Sequence, residues 1–191
     1  YPVLPALPGT PGMEGAAVVE DCGPGVTGLA PGAVVLLPHG FGTWREAGNL
    51  SAAGLVQVPP GIPLEQVAML RINPATALVM LREFGTLTVG DWIVQNAANS
   101  AVGRSVIHLA RHFGWRTVNV VRRAELVEEL TREGADAVIV DGEDTTLAIA
   151  EATGGALVRL ALNAVGGESA TRLASALASD GTIVTYGAMA R

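Results

Sequence analysis

The chain has 191 residues, of which 49% are hydrophobic and 16% are charged. This composition suits one or two compact domains with a sizeable core. A net charge of -6 argues against a general nucleic-acid binder, which needs a basic face. No run of sequence reaches the roughly 18 uncharged apolar residues of a membrane span. The single cysteine, Cys22, excludes an internal disulfide and a multi-cysteine zinc site.

The first third of the chain has the composition of a small β region. Residues 1–65 hold most of the prolines, and short β-like stretches recur between Gly and Pro turns at 15–20, 33–37 and 54–58. These stretches predict antiparallel pairing. The segment 66–84 has helical apolar spacing, which Asn73-Pro74 should kink or restart.

From residue 92 onward, predicted strands and helices alternate. The predicted strands are 92–96, 116–121, 137–140, 157–164 and 182–186, and the predicted helices are 101–113, 124–133, 145–153 and 168–177. This alternation is typical of βαβ units and predicts an α/β fold with a doubly wound parallel sheet of about five strands. His108 and His112 lie four residues apart on one predicted helix, where we expect surface positions and no metal site.

The stretch NAANSAVGR, residues 96–104, joins the first of these strands to its helix. In a dinucleotide-binding fold this turn carries G-x-G-x-x-G, and the pyrophosphate lies at the helix N-terminus. Here the three glycine positions read Ala98, Ser100 and Gly103. Small residues satisfy the close approach of a phosphate adequately, and Ser100 could donate a hydroxyl. A plain strand-to-helix turn of another α/β fold is the alternative.

The second strand ends in Val121-Arg122-Arg123. An NAD-binding chain usually places Asp or Glu at this point, about 20 residues after the loop, to bind the ribose. Two guanidinium groups would instead attract a 2′-phosphate, so the sequence favours NADP(H). A pair of solvated arginines at the start of a helix is the alternative.

Several motifs together resemble one family. They are YPVLPALPGTPGMEG at 1–15, GTWR at 42–45, INPATA at 72–77, NAANSAVG at 96–103, RTVNVVRR at 116–123, LNAVGG at 162–167 and VTYGAMA at 184–190. The chain resembles the medium-chain dehydrogenase/reductase superfamily, and within it the zinc-free trans-2-enoyl-thioester reductases of the mitochondrial fatty-acid-synthesis type. The resemblance runs in order along essentially the whole chain.

The resemblance implies a role for particular residues. Tyr1 falls at the catalytic tyrosine of the family, and Asn73 matches a residue that lines the cofactor site. The residues implied for the pyrophosphate are Asn99, Ser100, Ala101, Val102 and Gly103. Arg122 and Arg123 match the 2′-phosphate site, although Ala124 stands where relatives often have a further basic residue. The residues implied beside the nicotinamide and its ribose are Tyr186, Gly187, Ala188 and Met189.

The resemblance also bears on zinc. Zinc alcohol dehydrogenases of the superfamily carry a histidine ligand in a GHE motif, and here that place reads Gly12-Met13-Glu14. Methionine is a poor ligand for such a site, and Cys22 has no partner cysteine, so we expect no metal. Glu14 is then a hydrogen-bonding group at a turn.

The implied activity is the NADPH-dependent reduction of the 2,3 double bond of trans-2-enoyl thioesters of coenzyme A or acyl-carrier protein. The implied domains are part of a GroES-like β region at 1–65, a connecting helical segment at 66–90 and an NADP-binding Rossmann domain at 91–191. We expect a homodimer, no nucleic acid or membrane partner, and a chain that is part of a longer reductase. A bacterial cytoplasmic location is expected, or a mitochondrial one in a eukaryote.

Other functions remain open at this stage. One is another zinc-free reductase, such as a quinone oxidoreductase or a polyketide-synthase enoyl reductase. The other is an NADPH-binding sensor or structural module without catalysis.

Overall fold

The computed structural model describes residues 7–189. Tertiary contacts divide the chain into two compact units that meet between Ile72 and Asn73. This division falls within the segment 66–90 that the sequence predicts as a connection. The assignment of the two flanking segments to named domains stays a prediction.

The first unit contains a small antiparallel sheet. Its strands are β1 (Ala16–Val18), β2 (Val34–Leu36) and β3 (Val56–Gln57), and β2 lies between the other two. A single helical turn, α1 (Leu64–Val67), follows. All three strands form within the stretches predicted from the sequence, which confirms the antiparallel β region.

The second unit is an α/β domain in which helices and strands alternate. After α2 (Asn73–Glu83), its helices are α3 (Ala101–Phe113), α4 (Leu126–Glu133), α5 (Thr145–Thr153) and α6 (Gly167–Ser175). Its strands are β4 (Trp92–Gln95), β5 (Arg116–Val121), β6 (Ala137–Val140), β7 (Val158–Asn163) and β8 (Leu177–Thr185).

The five strands form one parallel sheet in the order β6-β5-β4-β7-β8. The chain moves outward in one direction from β4 to β6 and then returns to the other side of β4 at β7. This reversal is the switch point at which doubly wound sheets bind ligands, outside the carboxyl ends of their strands. The predicted fold class is thereby confirmed.

The helical segment restarts at Asn73, as predicted. Pro74 lies in the first turn of α2, where its missing N–H costs no helical hydrogen bond and its fixed φ suits a helix. One side of α2 packs into the core, and its buried residues are Ala77, Met80 and Leu81.

Both faces of the parallel sheet are covered, because neighbouring residues of a strand point to opposite faces. Ile93 packs with α2 and α3 on one face, whereas Val94 packs with α5 and α6 on the other. The apolar side of α3 lies on the first face, where Val106 is fully buried. The partly buried residues that pack against the same cluster are Val102, Leu109 and Phe113.

The last predicted elements need a correction. The helix predicted at 168–177 ends at Ser175, and the strand predicted at 182–186 begins at Leu177. Leu177 pairs with Val158 and Thr182 with Leu160, so the intervening residues of β8 bulge out of register. Asp180-Gly181 has the composition of a turn, so the sequence predicts a break before residue 182. In the structure the strand continues through these residues with a bulge.

Within residues 7–189, no helix has the length and apolar character needed to cross a membrane.

Candidate functional site

The carboxyl ends of the parallel strands bring most of the predicted site residues to one edge. The loop 96–100 follows β4, and its Ala98 N–H donates to the Val120 carbonyl near the end of β5 at 3.3 Å. Tyr186 follows β8, and its N–H donates to the Asn163 carbonyl at the end of β7 at 3.0 Å. Residues that are far apart in sequence therefore share the crevice at the switch point.

Helix α3 begins at this edge with a side-chain cap. Ser100 has an extended backbone, and its Oγ accepts the Gly103 N–H at 3.1 Å. In the part of the chain that the structure describes, the N–H groups of Ala101 and Val102 have no acceptor. Two free donors at the positive end of a helix dipole are suited to bind a phosphate.

The turn before α3, residues 96–100, is tight although it contains no glycine. Ala97 adopts a left-handed backbone with φ of 49°, a conformation that costs a non-glycine residue about 1–2 kcal/mol. Gly103 packs directly on this turn, because a Cβ there would lie 2.7 Å from the Ala98 carbonyl carbon. The structure places its closest contact in the loop itself.

A buried glutamine joins this turn to the sheet. Gln95, the last residue of β4, is fully buried, and its Nε2 donates to the Gly103 carbonyl at 2.9 Å and to Asn119 Oδ1 of β5 at 2.7 Å. The first turn of α3 is therefore fixed to the two central strands.

Arg104 fixes the same loop from the other side. Its Nε donates to the Asn99 carbonyl at 3.2 Å, and its two terminal nitrogens pair with Glu129 and Glu133 of α4. Because the Asn99 carbonyl is held by Arg104, the peptide between Asn99 and Ser100 has one orientation.

Arg122 and Arg123 are exposed just beyond the end of β5. Arg123 Nε lies 3.4 Å from Glu125 Oε1, and both side chains are largely exposed. Arg122 has no ion pair with any residue between 7 and 189. Arg122 is thus the guanidinium that an incoming phosphate would reach without displacing a carboxylate.

Tyr186 places a buried hydroxyl beside the start of α3. Burial raises the pKa of the Tyr186 phenol, and the Ser100 hydroxyl offsets only part of this effect. The phenol oxygen is inaccessible and forms no hydrogen bond of good geometry within the described residues. A buried polar group without such a bond costs stability.

The segment after Tyr186 lies close to the turn that follows β7. A Cβ on Gly187 would lie 2.7 Å from the Ala164 carbonyl oxygen, which explains the glycine. The Met189 N–H donates to that same oxygen at 3.3 Å, while the side chains of Ala188 and Met189 are exposed.

Two predicted site residues are not placed at this edge. Asn73 is half-buried as the first residue of α2, and no contact of its side chain links it to the loop. Tyr1 lies outside the described residues. Both assignments stay predictions.

The place of the superfamily's zinc ligand does not fit a metal. Met13 is 60% exposed, and Glu14 Oε2 accepts the Ile72 N–H at 3.0 Å. Glu14 therefore holds a backbone group, as expected of it. His108 and His112 are exposed, and residues 7–189 contain no group of three or more His, Cys, Asp and Glu side chains placed to hold an ion.

Sequence reasoning missed three buried amide side chains: Gln95, Asn96 and Asn163. All three stand at, or one residue beyond, the carboxyl end of a largely apolar strand. A polar residue at the carboxyl end of a buried strand marks the edge where such sheets bind ligands, and this pattern in the sequence could have identified them.

Comparison with known proteins agrees with the resemblance that the sequence motifs indicate. Residues 101–191 match the family described as zinc-binding dehydrogenase. The chain is 44% identical over its whole length to a human protein named mitochondrial enoyl-[acyl-carrier-protein] reductase, of which it covers 53%. A protein of the same name from Dictyostelium discoideum is 44% identical over 96% of the chain. The family model and both relatives agree with the resemblance to the medium-chain dehydrogenase/reductase superfamily. It spans about half the length of the curated relatives it matches.

Solved structures of the superfamily share the fold. The complex of Etr1p with NADP and crotonyl-CoA superposes with a TM-score of 0.87 at 31% identity, covering 94% of this chain and 56% of that one. A quinone oxidoreductase of Pseudomonas syringae superposes with a TM-score of 0.83 at 29% identity, covering 98% of this chain and 58% of that one.

The residues present at the edge fit a dinucleotide phosphate. Within residues 7–189, the N–H groups of Ala101 and Val102 have no acceptor and suit a pyrophosphate, and Arg122 has no ion pair and suits a further phosphate.

A second polar cluster closes the same edge at the end of β6. Asp141 accepts from Arg172 Nε of α6 at 3.0 Å and from the Thr145 hydroxyl at 3.1 Å. Burial raises the pKa of Asp141, but hydrogen bonds from Arg172, Ser169 and Thr145 outweigh this and leave that pKa below its ordinary value. The carboxylate therefore stabilises the fold in its charged form.

We expect Gly103→Ala to weaken NADPH binding by at least about tenfold and to lower the melting temperature, because the new methyl group must push the Ala98 peptide out of the turn. Fluorescence titration with NADPH measures the affinity. Gly142→Ala is the matched control, since no atom lies within 4 Å of the position of its Cβ. Equal affinity in both variants would contradict the packing argument.

We expect Asp141→Asn to lower the free energy of unfolding by about 2 kcal/mol at neutral pH, since a charge-assisted pair with Arg172 is lost. The folded pKa of Asp141 is depressed, so its contribution is complete above the unfolded value near ~3.9 and is lost as pH falls through the folded pKa. Urea denaturation of wild type and variant between pH 7 and pH 3 measures the difference.

The difference between the two proteins should narrow below about pH 4. Asp180→Asn, in which an exposed pair with Arg159 is lost, is the control and should change stability little at any pH. A difference for Asp141→Asn that stays constant across the range would show that its charge does not matter.

Proposed function

We propose that the protein containing this chain reduces the 2,3 double bond of trans-2-enoyl thioesters with NADPH. The observation that carries the proposal is the carboxyl edge of the sheet, where the first turn of α3 and Arg122 present donors that have no partner among residues 7–189. Relatives named enoyl-[acyl-carrier-protein] reductase and a structure titled with NADP and crotonyl-CoA support this substrate class.

The residues of this edge would hold and orient the cofactor. The Ala101 and Val102 N–H groups would donate to the pyrophosphate, together with the helix dipole. Arg122 would bind the 2′-phosphate, and Arg123 would add positive charge although Glu125 already pairs with it. The segment from Tyr186 to Met189 would lie beside the nicotinamide and its ribose.

When bound, NADPH supplies a hydride to the β-carbon of the thioester. The electron pair of the double bond then moves toward the thioester oxygen as an enolate, and a proton must reach the α-carbon. A hydrogen-bond donor aimed at that oxygen lowers the barrier. We propose Tyr1 as this donor, on the resemblance alone, and Asn73 as a residue that lines the cofactor site.

A quinone oxidoreductase activity is the second candidate, because the quinone oxidoreductase from Pseudomonas syringae shares the fold at a comparable identity. The loop favours the enoyl reductase, since such quinone enzymes typically carry more glycine than the single Gly103 of this loop. An NADPH-binding module without catalysis is the third candidate, and it would bind NADPH without turnover.

The Etr1p/Etr2p structure from Candida tropicalis is a heterodimer, which supports a dimeric assembly for this protein. We propose that this protein forms a homodimer. The thioester carrier is coenzyme A or acyl-carrier protein. The relatives named above are called mitochondrial, and a mitochondrial or bacterial cytoplasmic location for this protein stays a prediction.

We expect the full-length protein to oxidise NADPH in the presence of crotonyl-CoA and not in the presence of a simple quinone. Absorbance at the NADPH band measures both rates. Tyr1→Phe should lower kcat while NADPH affinity stays nearly unchanged, because the phenol stabilises charge that develops on the substrate only. Full activity of this variant would remove Tyr1 from the mechanism, and turnover of the quinone alone would favour the second candidate.

We expect Arg122→Ser to raise the KM for NADPH by about tenfold to hundredfold and to leave the KM for NADH unchanged, because the charged hydrogen bonds to a 2′-phosphate are lost. Steady-state kinetics with both cofactors measures the ratio. Arg132→Ser is the control, since Arg132 is also exposed but pairs with Glu128 along α4. A parallel loss for NADPH and NADH would contradict phosphate recognition by Arg122.

A further inference from the structure

Two buried asparagines meet across the switch point of the sheet. Asn96 directly follows β4, and Asn163 is the last residue of β7, the neighbouring strand on which the chain reverses direction. Each side chain is about 1% exposed. Buried asparagines are uncommon in strands, so their position at the ligand edge calls for a physical reason.

Every polar atom of the two amides is engaged. Asn96 Nδ2 donates to Asn163 Oδ1 at 2.8 Å and to Ser169 Oγ at 3.2 Å. Asn96 Oδ1 accepts the Ala164 N–H at 2.7 Å. Asn163 Nδ2 lies 3.1 Å from Thr185 Oγ1, to which it donates. Because each polar atom of the pair has a partner within the described residues, these side chains act to position other groups.

Asn163 Oδ1 also holds the turn after β7. Besides Asn96, it accepts the N–H groups of Val165 at 3.2 Å and Gly166 at 3.0 Å. One oxygen therefore gathers three donors from the ends of two strands. Such a fully satisfied buried network fixes one arrangement of the chain.

The turn after β7 also binds the segment that follows β8. The carbonyls of Asn163 and Ala164 accept the N–H groups of Tyr186 and Met189 respectively, and Gly187 approaches the Ala164 carbonyl closely. The amide pair thus links two pieces of the proposed cofactor site: the loop 96–100 under the pyrophosphate and the segment 186–189 beside the nicotinamide.

We propose that Asn96 and Asn163 are positioning residues for the reduction, and that their side-chain bond sets the separation between the loop 96–100 and the segment 186–189. This inference rests on the proposed function, since the separation matters only if one dinucleotide contacts both pieces. A misplacement of the reacting groups by about 1 Å can cost about a hundredfold in rate, whereas binding through the phosphates is less sensitive to it.

The chemistry of the pair is asymmetric, and this provides a sharp test. Asn163 Oδ1 only accepts, and the Thr185 hydroxyl can rotate to donate, so a carboxylate at position 163 keeps all its partners. Asn96 must donate to Asn163 and accept from Ala164 at once. A carboxylate at position 96 would face Asn163 Oδ1 with no proton between the two oxygens.

The test compares Asn96→Asp with Asn163→Asp in the full-length protein. We expect Asn163→Asp to keep kcat within about threefold of wild type and Asn96→Asp to lose at least about tenfold at pH 8, while the Kd for NADPH changes less than about threefold in both. Burial and the facing oxygen raise the pKa of the introduced carboxyl, so lowering the pH should return its proton and restore much of kcat.

The pH response can be attributed to the introduced carboxyl, because no charged side chain bonds to Asn96 or Asn163 directly. Asp141, which bonds to Ser169, has a lowered pKa and keeps its charge in this range. The side chains that bond to the pair, Ser169 and Thr185, are neutral. The charged side chains of α6, Glu168 and Arg172, pair with each other at 3.4 Å. Tyr186, which follows Thr185, has a pKa raised by burial and does not titrate in the acidic range.

Hydrogen exchange of the cofactor-free protein provides a readout that does not need turnover. Asn96→Asp should speed exchange of the Ala164, Tyr186 and Met189 amides, and Asn163→Asp should not. If Asn96→Asp fails to fold, Asn96→Ser replaces it, with the same expected loss of kcat and no recovery at low pH.

Equal kcat and equal exchange in the two aspartate variants, or full activity of Asn96→Ser, would overturn the proposal. A loss of kcat in Asn96→Asp that does not recover with pH would also do so, because it would reflect general disruption. If wild type itself fails to oxidise NADPH with an enoyl thioester, the proposed function fails, and the exchange experiment alone decides whether the pair couples the two segments.

Discussion

The close contact between the first turn of α3 and the loop before it is the constraint on which the site depends. Gly103 lies against the Ala98 peptide with no space for a side chain, and Gln95 binds the Gly103 carbonyl from below. These two contacts fix the position of the first turn of α3 relative to β4. Its free N–H groups consequently face the crevice where the strand order reverses.

Around this contact, the crevice is built from hydrogen bonds between loops. Arg104 joins the loop to α4, and the amides of Asn96 and Asn163 join it to β7 and the segment beyond β8. The apolar core on either face of the sheet supplies the bulk of the stability. The polar groups supply the alignment, since each bond defines one relative position of two loops.

The sequence predicted the elements of the second unit well, because buried strands and amphipathic helices leave strong periodic patterns. The bounds of α3, β5, β6 and α5 agree with those predicted. It failed at β8, where a bulge mimics a turn, and it did not find the network of Asn96 and Asn163. Which amides meet across a sheet depends on strand order, and local pattern does not contain that order. The predicted site residues Arg122 and Tyr186 do reach the common edge, whereas Tyr1 is outside the described residues.

The left-handed alanine before α3 has a consequence for how a ligand is received. A glycine at position 97 would reach this backbone conformation without strain, but it would also sample many others before binding. Ala97, held at its φ of 49° by the surrounding hydrogen bonds, has far fewer alternatives. A phosphate that arrives at this turn therefore finds donors already in place, and little ordering entropy is lost when it binds.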